Sequence, residues 1–315
     1  MAITLLMASC GSPGGQNGQE STDTLEHQAS EASQVQLTPL DIPAIEKALG
    51  MKGEEKNGEY KVSVPQNDLK IMVDGFQIIP PMGLGSWAAL APADNGAMLM
   101  GDVVVTEDDL RPVQQEVIAQ GLTITAIHNH FIRNRPNVMY MHIGGMGDGA
   151  ELAAKVKAVF DKVRESRGGD PASGPATEVE NSLDTAMIAR VLGHSGKMSR
   201  GVYKVTIGRP DVDLREHDAP VSTFLGFNTW AAWQGTPEKA AVAGDFTMLK
   251  DEVAPVIKAL VENDIEVVAV HNHMVHEKPR IFFLHYWGTG PAEKLARGLK
   301  AALDQTGKGR NDLTH

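Results

Sequence analysis

The chain has a single cysteine, Cys10, so no intrachain disulfide can form. It also lacks any apolar run near the roughly 20 residues that a membrane-spanning helix needs. Cations are in short supply: 29 Lys and Arg stand against 40 Asp and Glu, a formal charge of −11. That balance argues against nucleic acid as a partner, because phosphate binding is driven by Lys and Arg releasing counterions. The letters His-Asn-His, which occur twice, are therefore not read as a nuclease label. What remains is a composition 42% hydrophobic and 22% charged over 315 residues, that of a soluble globular body. This length holds two modest domains or one duplicated unit.

The first ten residues, MAITLLMASC, run from a short apolar stretch through the small Ala8 and Ser9 to Cys10. The pattern resembles a bacterial lipobox, in which the cysteine becomes the lipidated first residue. The expectation is a membrane anchor on Cys10 and a place in the cell envelope; a cytoplasmic protein with a chance cysteine is the alternative. Residues 11–37 are rich in Gly, Ser, Gln and Glu and read as a flexible tether, since they cannot bury enough apolar surface to offset ordering entropy.

Beyond the tether the chain repeats itself. Leu40 aligns with Leu183, Tyr60-Lys61-Val62 with Tyr203-Lys204-Val205, Trp87-Ala88-Ala89 with Trp230-Ala231-Ala232, Gly101-Asp102 with Gly244-Asp245 and Pro112 with Pro255, all at one displacement of 143. A constant offset over this much chain is a tandem duplication. The boundaries read as 38–165 for repeat 1, 166–181 for a linker and 182–315 for repeat 2. Each copy patterns as helix, several strands, helix, two strands, helix, with Thr38 as the first cap, Thr106 and Asp109 opening the second helix and Asp148 the third. The expected fold class is α+β, a duplicated mixed helix/strand unit with pseudo-twofold symmetry.

The same displacement relates His128, His130 and His142 to His271, His273 and His285, so six of eleven histidines occupy equivalent positions. The residues leading into each His-x-His, Leu122 to Ile127 and Ile265 to Val270, read as strands. Alternation puts His128 and His130 on one face, about 7 Å apart at roughly 3.3 Å of rise per residue, with Asn129 on the other. A loop through Pro136 returns Tyr140 and His142 to that face on the neighbouring strand. Three imidazoles with a vacant position form the open arrangement of catalytic zinc, and they also suit other divalent transition metals. A lone histidine on such an apolar face would be an ordinary core residue; core packing does not call for imidazole at three matched positions in both copies.

The segments YKV, DLKIMVDG, LGSWAAL, GDVVVTEDDL, the His-Asn-His hairpin and GDG…LAAKVKA resemble the LppY/LpqO family of bacterial lipoproteins, whose domain is one of unknown function. The likeness runs from about Leu40 to the C-terminus and agrees with the lipidation pattern at Cys10. The hairpin alone is also similar to the zinc sites of acetolactate decarboxylase-like proteins of a duplicated α+β superfamily. That second resemblance implies an open zinc site acting on a small carboxylate-bearing molecule.

Around the first hairpin, Tyr140 shares a face with His142 and is a candidate proton carrier, whereas its counterpart is Phe283. Asp102 and Asp245 are candidates for acid/base work or for orienting ligands, with a turn role after the paired Gly as an equal reading. Arg133 and Arg135 are candidates to hold an anionic substrate, with solvated loop charges as the plainer reading. Their counterparts are His276 and Lys278, so repeat 1 is expected to carry any catalysis. Two functions of different class stay open: a zinc-dependent hydrolase or lyase for a small carbonyl compound, and a non-catalytic lipoprotein that binds metal or ligand.

Overall fold

The computed structural model describes residues 37–94 and 96–307. Cys10 and the tether up to residue 36 lie outside the described residues. Repeat 1 contributes α1 (Ile42–Leu49), β1 (Glu54–Lys56), β2 (Glu59–Pro65), β3 (Gly85–Ala93), β4 (Gly96–Thr106), α2 (Glu107–Ala119), β5 (Thr123–His128), β6 (Val138–Gly147) and α3 (Gly149–Arg167). Repeat 2 matches it with α4 (Thr185–Leu192), β7 (Gly196–Ser199), β8 (Val202–Gly208), β9 (Asn228–Gly235), β10 (Ala240–Leu249), α5 (Val253–Glu262), β11 (Glu266–His271), β12 (Ile281–Gly290) and α6 (Ala292–Leu303). Each repeat forms a six-stranded antiparallel sheet, ordered β1-β2-β3-β4-β6-β5 and β7-β8-β9-β10-β12-β11. The structure is thus mixed α+β with two similar halves.

The helix starts follow their caps. Thr106 and Asp109 close a reciprocal capping box on α2, and Asp148 accepts from the amides of Ala150 and Glu151 on α3. At α1 the expected cap is replaced: Asp41, not Thr38, accepts from Ala44 N at 3.1 Å. Pro43 explains the difference, because a residue without an N–H is tolerated in the first turn and so fixes the start just ahead of it. Helix α3 runs to Arg167, and Gly168 ends it in the left-handed region at φ 68°. There Arg167 meets the buried Asp109 at 2.7 Å, tying the end of α3 to the start of α2.

The helices of each repeat cover one face of its own sheet. In repeat 1, Val113, Val117, Leu152, Val156 and Val159 pack on Val62, Leu90, Leu99, Val103 and Ile143. The opposite faces of the two sheets meet each other: Val104 and Tyr140 pack with Ala241, Ala243 and Trp287, and Met98 and Met100 with Phe227 and Phe283. Central strands buried on both faces explain why GAMLMGDVVVT of β4 does not alternate apolar with polar. Each fully buried Leu, Val or Phe in these layers contributes about 1.5–3 kcal/mol, so the two sheets are held as one body. Among the described residues, no helix is long and apolar enough to cross a membrane.

Candidate metal centre

The inter-sheet face carries the histidines, and strand register puts them there. Residues directly opposite in an antiparallel pair share a face. Trp87 lies opposite Asp102, Asp102 opposite His142, and His128 opposite Tyr140. A β-bulge between Ile124 and Ala126 makes the last pairing. Without that one-residue shift, His128 would stand opposite Met139, on the helix side. The bulge between Val267 and Ala269 does the same for His271, which pairs with Phe283. The uninterrupted alternation expected along each His strand is therefore corrected: Ile124 stands opposite Ile143, whose side chain belongs to the helix-covered core. His130 lies just past the end of β5, as His273 does past β11.

The structure brings all six histidines into one cluster instead of two separate triads. The rings of His128 and His271 stack at 3.8 Å, and the flanking cross-pairs are nearly equal, His130 with His285 at 3.9 Å and His142 with His273 at 4.1 Å. Matched cross-distances of this kind are those of an approximate twofold axis passing by the central stack. Three groups offer ligand atoms all within 4.8 Å of one another: His128, His271 and His285; His142, His271 and His273; Asp102, His128 and His130. Two of the three draw on both repeats. The third lies wholly in repeat 1, so the histidines form one shared cluster rather than two separate sites.

The donor set fits a cation. The Nδ1 atoms of His142 and His285 meet the carbonyls of Gly101 and Gly244 at 3.1 and 3.0 Å. Such a contact fixes the proton on Nδ1 and turns the Nε2 lone pair inward. Gly is needed there: a Cβ at Gly244 would collide with the Trp230 carbonyl and the Tyr286 hydroxyl. Both ring nitrogens of His128 and His271, Nε2 of His142 and His285, and Nδ1 of His273 are buried with no hydrogen-bond partner. Burial holds His128, His142 and His285 well below the usual imidazole pKa and His130 and His273 at about 3, so the rings are neutral. Neutral imidazoles with buried lone pairs and no donor are costly unless something accepts those pairs, and a metal ion does.

The two carboxylates diverge. Burial pushes Asp102 up, with His142 opposing; at Asp245 burial is outweighed by the nearby imidazoles of His285, His271 and His273, which hold it well below the usual range. Asp102 lies 3.5 Å from His130 Nε2, and Asp245 lies 3.5 Å from His273 Nε2.

Four of the six histidines, His130, His142, His273 and His285, line with Asp102 and Asp245 a cleft of about 830 Å³ walled by Lys61, Lys204, Trp87 and Trp230, and the His128–His271 pair lies behind that lining. In the sequence these four wall residues stand out only as markers of the repeat; a lysine matched in both copies inside an otherwise half-apolar strand is the signal available there. Tyr140 does not line the cleft. It is fully buried, stacked on His130 at 3.3 Å with its hydroxyl unpartnered, and its proton is held well above pH 10 by burial. It backs a ligand rather than facing a substrate, as Phe283 backs His273 at 3.4 Å. Arg133 and Arg135 are exposed and also lie outside the cleft lining. Asp74 at 2.7 Å and Glu266 at 2.6 Å draw Arg133 into a surface bridge between the repeats. Asn272 points away from the cluster, bonding the carbonyls of Thr125 and Met274.

A family model described as Domain of Unknown Function (DUF1259) matches residues 43–162 and again 186–305. A comparison with curated proteins finds no match. Among solved structures, EtuB from Clostridium kluyveri aligns over 81% of this chain and 90% of its own at 7% identity and a TM-score of 0.19. The trimeric bacterial microcompartment shell protein PduB aligns over 80% and 88% at 9% identity and a TM-score of 0.19. Likeness at that level carries no argument about fold or function.

Proposed function

We infer that this chain, which belongs in two tandem copies to the DUF1259 family, is a metal-dependent hydrolase or lyase for a small carbonyl or carboxylate compound, with zinc as its metal. The observation that carries this reading is that His142, His273 and His285, each with a buried unpartnered nitrogen, line an open cleft. A purely structural ion sits in a closed ligand shell, whereas a catalytic one keeps a side open to substrate. A bound divalent ion supplies Lewis acidity, polarising a carbonyl or lowering the pKa of water.

The chain's own residues supply the rest. His142 and His285 present fixed Nε2 atoms, and Tyr140 and Phe283 hold His130 and His273 in place. Asp102, whose carboxyl burial pushes up, is assigned the acid's part, and Asp245, whose carboxylate the neighbouring imidazoles favour, the base's. Two carboxyls pushed apart in pKa within one pocket are a common basis for such a division of labour. Anchoring in the cell envelope through a lipid on Cys10 belongs to the same proposal, on the strength of MAITLLMASC and the resemblance to LppY/LpqO lipoproteins.

Elemental mass spectrometry of the untagged full chain tests the metal, followed by small esters and keto acids as substrates. The expected result is stoichiometric divalent metal and turnover that chelation abolishes and zinc restores. No metal in the native protein, and none after reconstitution, ends the reading. Metal without turnover supports ligand binding instead. Membrane fractionation of Cys10→Ser tests the anchor, with release into the soluble fraction expected.

A further inference from the structure

We propose that Lys61 and Lys204 form a paired anion clamp over the histidine cluster, so that the molecule this cleft takes is a small dianion. The inference deepens the substrate reading of the cleft and rests on it, though not on the identity of the metal.

The two lysines are equivalents in the duplication, one on β2 and one on β8. Register sets Lys61 opposite Ala89 and Ser63 opposite Trp87, and Lys204 opposite Ala232 and Thr206 opposite Trp230. Each lysine is thus on the face that bears its tryptophan and aspartate. Each Nζ lies 4.1 Å from the centroid of that tryptophan ring, Lys61 over Trp87 and Lys204 over Trp230. An aromatic face beneath the ammonium fixes the long side chain by cation–π attraction and leaves its other side free to donate.

Asp102 and Asp245 act on Lys61 and Lys204 through the cleft, but neither carboxyl closes on its lysine. Among the described residues, neither lysine makes an ion pair; Lys61 donates to the Phe224 carbonyl at 3.2 Å, and Lys204 has no hydrogen bond. Surface lysines such as Lys157, Lys258, Lys294 and Lys300 each meet a carboxylate. The two matched cations face the cleft together with Asp102 and Asp245, so the pocket offers ammonium groups above and carboxyls beside the histidines. The fixed cations and four of the histidines line the same 830 Å³ space, so an anion held by the lysines lies where those histidines can reach its reacting atoms. Two ammonium groups suit two negative charges: one doubly charged group, as in a phosphate, or the two ends of a dicarboxylate.

Isothermal titration of the full-length protein, metal-loaded and chelator-stripped, tests the clamp with inorganic phosphate, malonate and succinate as probes and acetate as the singly charged control. Lys61→Met, Lys204→Met and the double variant remove the charges at similar length; Lys61→Arg with Lys204→Arg restores them. The expected result is that at least one dianion binds, at least tenfold more weakly in each single Met variant, undetectably in the double, and again in the Arg pair. Which dianion wins separates a phosphate from a dicarboxylate. Dianion affinity unchanged in the Met double variant overturns the proposal, as does acetate binding as tightly as malonate, or no dianion binding to metal-loaded protein. Absence of metal strikes the metal reading alone, because lysine-dependent binding is read separately in the stripped protein.

Discussion

Replacing both His128 and His271 by Leu tests whether the buried imidazoles are ligands or core. Together these two rings take part in all three candidate groups, and all four of their ring nitrogens are buried without a partner. An unsatisfied buried polar group costs about 1–3 kcal/mol. At the lower end, relieving about 1 kcal/mol per ring makes the metal-free double variant about 2 kcal/mol more stable than metal-free wild type, roughly 4–8 °C in Tm for a body of this size. Metal acts in the opposite sense. Free zinc at a thousand times its Kd stabilises the folded state by about 4.1 kcal/mol, roughly 8–16 °C, and only the wild type should show it. Differential scanning calorimetry of both proteins, stripped and zinc-loaded, gives four Tm values that should cross. A zinc-induced rise of equal size in the double variant refutes the ligand assignment. A stripped double variant several degrees below stripped wild type refutes the account of the orphaned nitrogens. Each single variant leaves one group intact, so a reduced shift is expected there.

Acid should weaken the metal-free protein. His130 and His273 titrate near 3 when folded against 6.5 as reference, so the unfolded chain binds more protons between those values. Their contribution is complete above about pH 6.5 and is lost as pH falls, by about 2.7 kcal/mol per unit for the two together below pH 6; urea unfolding at pH 7.5, 6 and 5 measures it. Tyr140→Phe, which copies Phe283, removes an unpartnered buried hydroxyl and should raise stability by about 1 kcal/mol with metal content unchanged, as read by denaturation and elemental analysis. Arg133→Ala should cost no more than about 1 kcal/mol and leave metal content intact, because its bridge to Asp74 and Glu266 is about half exposed at 47%; a loss of metal would restore a role for Arg133 at the site.

The sequence by itself determined the duplication, the α+β character of each half and the identity of the six histidines. These follow from local signals: a constant displacement, caps such as Thr106 with Asp109, and apolar periods that need no knowledge of what packs against them. Tertiary structure alone decided how the histidines are shared. The two one-residue bulges that turn His128 and His271 toward the inter-sheet space leave no mark in an alternating apolar pattern. The stacking of those rings at 3.8 Å depends on two strands that meet across the layer, far apart in the chain. The fates of Arg133 and Lys61 show the same limit. A charge beside a motif can be drawn away by carboxylates from distant segments, as Asp74 and Glu266 draw Arg133, while a lysine with no motif near it can be carried by sheet register into the cleft. Local sequence fixes which side chains a strand carries, but the partners that set their charge, burial and aim come from elsewhere in the fold.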